Sequence, residues 1–585
     1  FALLFLLLFV PGGETNRLVL QQLLVSRHVL FASQLTSTLA QLGDLLAAPS
    51  PALQPLQAVL LRLQRNYQVL GQEAVYQPNF TAVLAAWLQL CAAQPGAPRE
   101  EDVVTFIVAL RQKGLLASET QTVIAVKLLF VALLAELDKP VTALSSTSST
   151  TGSTGATTTT STMNTSNPTG AADNTSPVDA FIALLAALLR YTDLKSRASL
   201  LLCFVTAVAS VLAEEQKAGK SRGASPAYRV LAALTELLLG PLLPRLQPGL
   251  HDSDRVLATD YARVLLHGLQ LLQPAIVPSF VFFLLALASS ATLLRVCALL
   301  QDDTTSSLFS RLLFALLRFL MPFWVLASPA PALRQLVAAT TSLLLALKER
   351  WPQLLCANYG DLCLAVPTYC LQLRNIITAA QPPATPAFSP RDGITDELAK
   401  ALNTPTPDAW NVGKILAPLN LEPFFAAYRA APSAGFCSDM ADLAKKQNSF
   451  VYFALLYEVA AATYIRAGPD GAKPSFPVDY YTLLLKQSPP PVAHDTVIAL
   501  LDHVRYPSYD TYSFCMLMKT LMKRDVMEPV FTAICDRLLV PGPKSWGLQF
   551  LFSQLVNSEA ENIKDMKNMR NPEVKKLVEE YLTKK

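Results

Sequence analysis

The sequence contains few charged residues. Only 16% of its 585 residues are Asp, Glu, Lys or Arg, and the formal net charge is +4, whereas about 25% charged residues is usual for globular domains. Binding to nucleic-acid phosphates needs clustered Lys and Arg rather than a small overall excess, so the composition does not favour a nucleic-acid-binding protein. Because 52% of the residues are hydrophobic, most helices must be covered on more than one side.

Cysteine and histidine are also scarce. Nine cysteines in so long a chain, odd in number and unevenly spaced, do not fit a disulfide scaffold and favour a reducing compartment. No two histidines have an H-E-x-x-H or comparable metal-binding spacing. In the apolar pattern around His267, a hydrogen-bonded core histidine is the expected role. The five histidines are His28, His251, His267, His494 and His503. We therefore expect no metal, no cofactor and no catalytic residues.

Three of the cysteines, Cys356, Cys363 and Cys370, are spaced seven residues apart in "LCANYGDLCLAVPTYCLQLRNII". On a continuous helix such residues share a face but lie about 10 Å apart along the axis, too far to share one zinc ion with Zn–S bonds of about 2.3 Å. They are also beyond disulfide reach. Pro367 is expected to break the helix, but no nearby histidine or fourth cysteine completes a ligand set. We interpret these cysteines as small buried hydrophobic residues.

The segment most similar to a membrane span is "AIVPSFVFFLLALASSATLL", residues 275–294, which has no charged residue over about the length that a bilayer requires. Pro278 lies where a helix would start, and Ser289 and Ser290 dilute the middle. In the neighbouring apolar segment, Arg311 and Arg318 mark one face of a helix, as expected when that face meets water. A buried helix of a water-soluble protein is the favoured interpretation.

Apolar residues recur at three- and four-residue intervals along most of the chain and stop at Pro, Gly or Ser clusters. Alternating strand patterns with hairpin turns are absent from the sequence. The helices pair at roughly the 40-residue scale of HEAT-like repeats, without a strict consensus. We therefore predict an all-α fold, with irregular HEAT-like stacked helical hairpins forming an elongated solenoid.

Composition also predicts the organisation of the chain. A Ser/Thr-rich stretch with one Met as its only large apolar residue cannot offset its ordering entropy, and prolines forbid a regular helix in "AAQPPATPAFSPRDG". The chain begins with Phe1 rather than Met, which suggests a piece of a longer protein. The predicted divisions are an N-terminal helical region (1–144), a disordered insertion (145–177), a HEAT-like lobe (178–380), a Pro-rich junction (381–410) and a C-terminal helical lobe (411–585).

One short segment, "GKSRG" at residues 219–223, matches both the G-x-S-x-G of hydrolases and the GKS of a phosphate-binding loop. Each of these motifs needs a preceding strand, and the phosphate-binding loop needs a glycine where Glu214 stands. The preceding "VLAEEQKA" is typical of a helix end, so we expect Ser221 to lie in a charged loop between helices and to have no catalytic role.

Two C-terminal stretches concentrate aromatic residues beside proline. In "LDHVRYPSYDTYSFCMLM", residues 501–518, the aromatic side chains near Arg505 are typical of interface anchors, and packing at a helix end remains an equal alternative. In "LLVPGPKSWGLQFLFSQLV", residues 538–556, we expect Trp546 to be a core residue. A final helix, "NPEVKKLVEEYL" at 571–582 with Asn571 as its cap, either closes the helical array or forms a detached tail.

Read together, "CLQLRNIITAAQPP", "RYPSYDTYSFCMLM" and "RLLVPGPKSWGLQFLFSQLV" resemble the C-terminal homology domain of the Not-one scaffold subunit of the CCR-NOT deadenylase complex. The family pattern has Q-L-R-N after a Cys-rich segment, then R-Y-P with aromatics, then R-L-x-V-x-x-P-x-x-W-G. "LQPAIVPSFVFFLLALASS" resembles a further family segment, P-x-x-x-P-x-F-V. The resemblance is strong over 181–556 and weaker before 145.

The resemblance implies a non-catalytic HEAT-like scaffold that docks the Not-two and Not-three subunits and peptide motifs of mRNA-binding repressors, in the cytoplasm, mRNA-processing bodies and nucleus. Such a scaffold promotes mRNA deadenylation and translational repression, with deadenylase subunits attached indirectly through other parts of it. It implies no direct nucleic-acid or membrane contact. The residues that the resemblance suggests for partner binding are Arg374, Asn375, Arg505, Tyr506, Pro507, Tyr509, Tyr512 and Trp546.

Two other classes of protein remain open on the sequence. One is an unrelated helical-repeat adaptor, such as a transport receptor, in which the matched motifs are generic. The other is a membrane protein or an enzyme with an unrecognised site.

Overall fold

The structure is a computed structural model. It describes residues 73–93, 98–112, 119–138, 176–246, 252–324, 330–391, 394–404, 410–421, 423, 434–461 and 475–583. The regular structure in these ranges is helical, with no strand, so the all-α prediction is confirmed. Residues 1–72 and nearly all of the Ser/Thr-rich insertion lie outside the described ranges. By contacts the chain divides into two units, 1–287 and 288–585.

The first unit stacks its helices in alternation. Helices α1, α3, α5 and α7 pack one on the next, while α4 packs on α6. Contact between every second helix is expected when helical hairpins stack as repeats, so the HEAT-like arrangement is confirmed within this unit. The helices are α1 Glu73–Ala92, α2 Glu100–Gln112, α3 Glu119–Leu137, α4 Pro177–Arg190, α5 Leu194–Lys217, α6 Ala224–Leu239, α7 Asp252–Leu271 and α8 Val281–Ala288.

The loop between α5 and α6 contains Ser221 and is held by charged side chains. Arg222 donates from Nε to Glu215 Oε1 at 2.9 Å and also pairs with Asp138, while the Gly223 N–H donates to Glu215 Oε2 at 2.8 Å. No strand precedes this segment, since it follows α5 directly. The prediction of a charged loop between helices is confirmed.

The second unit shows the same alternation, with α16 on α18 on α20 on α22, and α17 on α19 on α21. Its helices are α9 Ala291–Leu300, α10 Asp303–Leu320, α11 Pro331–Arg350, α12 Pro352–Leu364, α13 Leu371–Thr378, α14 Asp396–Leu402, α15 Gly413–Leu416, α16 Ala434–Lys445, α17 Ser449–Ala460, α18 Ser475–Gln487, α19 Pro490–Leu501, α20 Tyr509–Leu521, α21 Met527–Leu539, α22 Trp546–Ser558, α23 Ala560–Lys564 and α24 Pro572–Thr583.

The apolar segment 275–294 is not one helix, which corrects the sequence-based prediction. A short 3-10 turn, Pro278–Phe280, precedes α8, which ends at Ala288. Helix α9 then starts at Ala291, because the Ser290 hydroxyl accepts the Leu293 N–H at 3.3 Å and caps the new helix. The serines that dilute the apolar run are therefore the break in the helix.

By length and composition alone, three described helical segments could cross a membrane: Ser196–Lys217, Ala224–Arg245 and Asp303–Phe323. The pair Pro278–Ala288 and Ala291–Leu300 would be a fourth if it counted as one broken span. In Ser196–Lys217, 67% of the most apolar window is buried inside the protein. Its hydrophobic residues are therefore mostly covered by neighbouring helices.

The Pro-rich segment after α13 has no helix over residues 381–391, as its prolines predict. It lies within the second unit. Phe388 packs against the core of this unit, and the Arg391 guanidinium lies 4.1 Å from the centre of the Tyr581 ring. This Pro-rich strap, residues 381–391, therefore connects the middle of the chain to its last helix.

The last helix, α24, is part of the second unit's core rather than a detached tail. Val574 and Val578 are buried, and α24 packs on α21 and α22. Asn571 caps the helix as predicted, since its side-chain oxygen accepts the Glu573 N–H at 2.9 Å. The interpretation that this helix closes the array is confirmed.

Candidate functional site

The Q-L-R-N motif places a buried arginine at the end of another helix. Arg374, in the first turn of α13, donates to the backbone oxygens of Cys363 at 2.8 Å, Val366 at 2.5 Å and Pro367 at 3.1 Å. These carbonyls lie at and just beyond the C-terminus of α12, where backbone acceptors have no helical partner and a positive charge is favourable. Arg374 therefore fixes α12 relative to α13.

A second buried arginine shares one carboxylate with Arg374. Arg537 of α21 donates to Asp502 Oδ1 at 2.7 Å, and Arg374 pairs with the other oxygen, Asp502 Oδ2. Asn375 joins the cluster, because its side-chain oxygen accepts Arg537 Nε at 2.6 Å and its amide donates to the Arg537 carbonyl at 2.7 Å. Arg537 also donates to the Thr378 hydroxyl at 3.1 Å. We call Arg374, Asn375, Asp502 and Arg537 the arginine cluster.

The arginine cluster holds together three parts of the stack: the α12–α13 corner, the end of α19, and α21. Arg374, Asp502 and Arg537 are 2%, 4% and 1% exposed, so each charge depends on its partners rather than on water. Removing one member of a buried ion pair typically costs about 3–5 kcal/mol, because the other charge is left uncompensated. The cluster therefore connects these helices through partners that each buried charge needs.

A third buried arginine, Arg505, packs against the ring of Tyr359. Its guanidinium is 3.6 Å from the centre of the Tyr359 ring and donates to the Cys356 carbonyl at 3.2 Å. The Tyr359 hydroxyl is hydrogen-bonded to His503 Nδ1 at 2.9 Å. Burial, reinforced by Arg505 and Arg374, holds the pKa of His503 well below its usual value. His503 is therefore neutral at physiological pH and serves as an aromatic packing surface.

The R-Y-P and W-G motifs pack against each other through the backbone. The Gly547 N–H donates to the Arg505 carbonyl at 2.6 Å, and the Ser545 hydroxyl donates to the Val504 carbonyl at 2.7 Å. A Cβ at position 547 would lie 2.6 Å from Thr511 Cγ2 and 2.8 Å from the Arg505 carbonyl oxygen. Only glycine allows this close approach, so the two motifs together place the N-termini of α20 and α22 side by side.

The eight residues predicted for partner binding fall into two groups. Arg374, Asn375, Arg505, Tyr506 and Pro507 are buried, and the three polar ones bond inside the unit. Tyr509, Tyr512 and Trp546 are half-buried at the starts of α20 and α22. Trp546 stacks on Phe550 with ring centres 4.8 Å apart. Trp546 packs against the core of the second unit, as expected, but is only half-buried. The partner-binding role of the eight residues stays a prediction.

Three residues that matter here were not among the site residues expected from the sequence: Asp502, His503 and Trp410. The available signal was the pair of arginines inside apolar helical patterns, in "LQLRNII" and "AICDRLLV", because a buried arginine needs acceptors inside the protein, and a carboxylate also balances its charge. "LDHVRYP" supplies that carboxylate as Asp502, only three residues before Arg505. No local pattern marks Trp410, which comes into contact with this region only through the tertiary fold.

The three spaced cysteines lie at the α12–α13 corner. Cys356 and Cys363 are buried, and Cys370 is half-buried just before α13; the helix ends at Leu364, before Pro367. Burial raises the pKa of Cys363, and it raises the pKa of Cys370 to about 12, so both are protonated thiols at neutral pH. Their predicted role as small buried hydrophobic residues is confirmed for Cys356 and Cys363, and Cys370 retains partial exposure.

The chemistry of this region is structural. Among the described residues, no three His, Cys, Asp or Glu side chains are grouped so that they could hold a metal ion; His28 and His251 lie outside those residues. The arginines donate to carbonyls and a carboxylate of the protein itself. The arrangement produces a stack of helices with half-buried aromatic residues at the starts of α20 and α22.

This stack places the chain in the class of all-α proteins built from HEAT-like helical hairpins. The solved NOT1 superfamily homology domain from Chaetomium thermophilum has the same fold: its TM-score is 0.69 at 18% identity, over 87% of this chain and 98% of that one. A second structure, "Not1 C-terminal domain in complex with Not4", matches with a TM-score of 0.62 at 19% identity, over 84% and 99% of the two chains.

The family follows from the sequence comparison. The family described as "CCR4-Not complex component, Not1" matches residues 251–582, more than half of the chain, and the chain belongs to it. The resemblance noted in its motifs is therefore confirmed.

Two curated relatives are informative about the extent of the match. "General negative regulator of transcription subunit 1" of Schizosaccharomyces pombe (strain 972 / ATCC 24843) is 24% identical over 431 residues, which cover 68% of this chain and 20% of the relative. "CCR4-NOT transcription complex subunit let-711" of Caenorhabditis elegans is 24% identical over 428 residues, 66% and 16% of the two chains. The chain therefore spans a fifth or less of the length of these relatives.

Proposed function

We propose that this chain is a non-catalytic docking platform of a CCR4-Not complex, which brings other subunits and mRNA-binding repressors together to promote mRNA deadenylation and translational repression. The observation that carries the proposal is membership of the Not1 family over residues 251–582. The fold similarity to a Not1 C-terminal domain in complex with Not4 supports the proposal, because in that structure a domain of this fold binds another protein, Not4.

The proposed partners are the Not2 and Not3 subunits, Not4, and peptide motifs of repressors, with deadenylase subunits attached indirectly through other parts of the scaffold. Stacked helices leave grooves in which amphipathic or extended peptides bind through anchor side chains. We propose no cofactor, no direct nucleic-acid contact and no membrane contact. The corresponding location is the cytoplasm, including mRNA-processing bodies, and the nucleus.

We assign direct partner contact to the half-exposed residues at the starts of α20 and α22, Tyr509, Tyr512 and Trp546. Aromatic residues that are partly covered and partly exposed are the usual anchors of protein interfaces. Thr511 and Gly547, their neighbours in sequence, pack against each other, so the two helix starts form one surface. The buried motif residues, such as Arg374 and Arg505, act indirectly by holding that surface in place.

The experiment is a binding assay of the purified chain with the Not2 and Not3 C-terminal regions and, separately, with Not4. We expect wild type to bind, and the variant Tyr512→Ala/Trp546→Ala to lose at least about 10-fold in affinity, equivalent to about 1.4 kcal/mol. Tyr369→Ala is the matched control, because Tyr369 is a 54% exposed tyrosine elsewhere in the same unit. It should bind as wild type does.

Two results would contradict separate parts of the proposal. Failure of the folded wild-type chain to bind any of these subunits would contradict the docking role. Unchanged binding by the double variant would remove Tyr512 and Trp546 from the interface while leaving the scaffold role intact.

A further inference from the structure

Trp410, just before α15, lies in a site formed by other parts of the second unit. Its ring is stacked with His503, with centres 5.9 Å apart and planes at 25°, and it meets Tyr457 with centres 5.5 Å apart. Its Nε1 donates to Asp361 Oδ1 at 3.0 Å. We call the site formed by Gly360, Asp361, Tyr457 and His503 the indole site.

Gly360 gives the indole site its shape. Position 360 lies in the interior of α12, where glycine is less favourable than alanine because its backbone loses more entropy on folding. A Cβ at this position would overlap the Cγ, Cδ1 and Cδ2 atoms of the Trp410 ring. The helix therefore presents bare backbone to the face of the ring. With the rings of His503 and Tyr457 as further walls, the site accepts a flat aromatic group.

Few polar interactions keep the Trp410 side chain in the indole site. The side chain is only half-buried, and its single hydrogen bond goes to Asp361, which is exposed to water. A hydrogen bond to an exposed carboxylate is easily exchanged for one to water, so it adds little net stability. The ring can therefore be replaced by another that offers an N–H or O–H to the same carboxylate.

A small cleft, with room for about one water molecule, adjoins the indole site. Leu364, Phe453, Ala499, Arg374 and Asp502 line it. Those two charges already pair with each other, and Arg374 also donates to three carbonyls, so the cleft does not favour an anion.

We propose that the indole site is a docking site for a tryptophan or tyrosine side chain of a partner peptide, and that Trp410 is the internal occupant which such a peptide displaces. The chain's own indole shows which ligand chemistry the site accepts, and Gly360, His503 and Tyr457 supply the surfaces that hold a flat ring. This inference rests on the proposed role in partner docking and adds the chemistry of one partner contact.

The first test uses N-acetyl-L-tryptophanamide as the probe and melting temperature as the readout. Trp410→Ala empties the site, so the probe should raise the melting temperature of this variant. Wild type should need at least about 10-fold more probe for the same shift, because Trp410 must leave first. The control Trp410→Ala/Gly360→Leu fills the site with a side chain and should show no shift. N-acetyl-L-leucinamide, which lacks a flat ring, should shift none of the three.

A second measurement covers the case in which Trp410→Ala does not fold. Wild-type protein labelled with 5-fluorotryptophan is followed by fluorine NMR, with the Trp410 signal assigned from Trp410→Phe. We expect the probe to move the Trp410 signal towards the position of exposed tryptophan, while the signal of Trp351, which is 2% exposed, stays in place.

The proposal is overturned if saturating probe leaves the Trp410 signal unmoved, since the indole is then a permanent part of the core. It is also overturned if the Gly360→Leu control responds as strongly as Trp410→Ala. Neither measurement contains another subunit. Their failure therefore removes the indole site alone, whereas failure of the subunit binding assay removes the proposed platform.

Discussion

Asp502 is the residue whose replacement tests most directly how the second unit is held together. It is the one carboxylate that Arg374 and Arg537 share, and all three side chains are at most 5% exposed. Asp502→Asn keeps the size and one acceptor oxygen but removes the charge. Two buried guanidinium groups are then left without a counter-ion, and we expect the free energy of unfolding to fall by about 3–5 kcal/mol.

The assay is urea-induced unfolding followed by far-UV circular dichroism, with the midpoint of the transition as the readout. Lys486→Ala is the control, because Lys486 pairs with Asp525 at 2.6 Å on the surface, where the two side chains are 46% and 84% exposed. Such a pair contributes about 0–1 kcal/mol, so this midpoint should barely move. A loss below about 1 kcal/mol for Asp502→Asn would refute the assignment of the arginine cluster as the connection between α12, α13, α19 and α21.

Three further predictions concern other parts of the second unit. Gly547→Ala should lower the free energy of unfolding by about 1–3 kcal/mol through overpacking against Thr511 and the Arg505 carbonyl, and a melting temperature equal to that of wild type would contradict this packing. Trp351→Ala, at a 2% exposed site, should cost about 3–5 kcal/mol, and the half-exposed Trp546 should cost clearly less when changed to Ala; equal losses in urea titrations would contradict the difference in burial. Asp495 and Asp536 raise the pKa of His494 to about 9, so its stabilising effect is complete below its unfolded pKa of about 6.5 and is lost as the pH rises through 9. Because the site is partly exposed, we expect only about 1 kcal/mol, measured as the stability difference between wild type and His494→Ala at pH 6 and pH 10; an equal difference at both pH values would contradict it.

Local patterns were sufficient for the secondary structure and for the family. The spacing of apolar residues predicted an all-α chain, because the residues on the buried face of a helix recur every three to four positions. Capping residues predicted helix ends, including Asn571 at the start of α24, and prolines predicted the non-helical strap after α13. The error was at residues 275–294, where Ser290 begins a new helix instead of lying inside one. A serine within an apolar run is compatible with either role, and tertiary packing selects between them.

The roles of the motif residues could not be predicted in the same way. The family resemblance suggested Arg374, Asn375 and Arg505 for contacts with a partner, and the aromatic residues near Arg505 are typical of interface anchors. In the structure, Arg374 pairs with Asp502, Asn375 with Arg537, and Arg505 with Tyr359. The two residues of each pair are more than 100 positions apart in sequence. The same residue types serve a buried network and an exposed interface, and burial distinguishes them.

The sequence by itself therefore determined the helices, most of their ends and the family, since these depend on periodicity, capping and local motifs. Only the tertiary structure decided which polar residues are buried, which carboxylate compensates two arginines, and that Trp410 lies over Gly360. These facts depend on contacts between residues from 35 to more than 100 positions apart. Such contacts arise from the way the helices stack, and stacking is a property of whole helix faces rather than of any single motif.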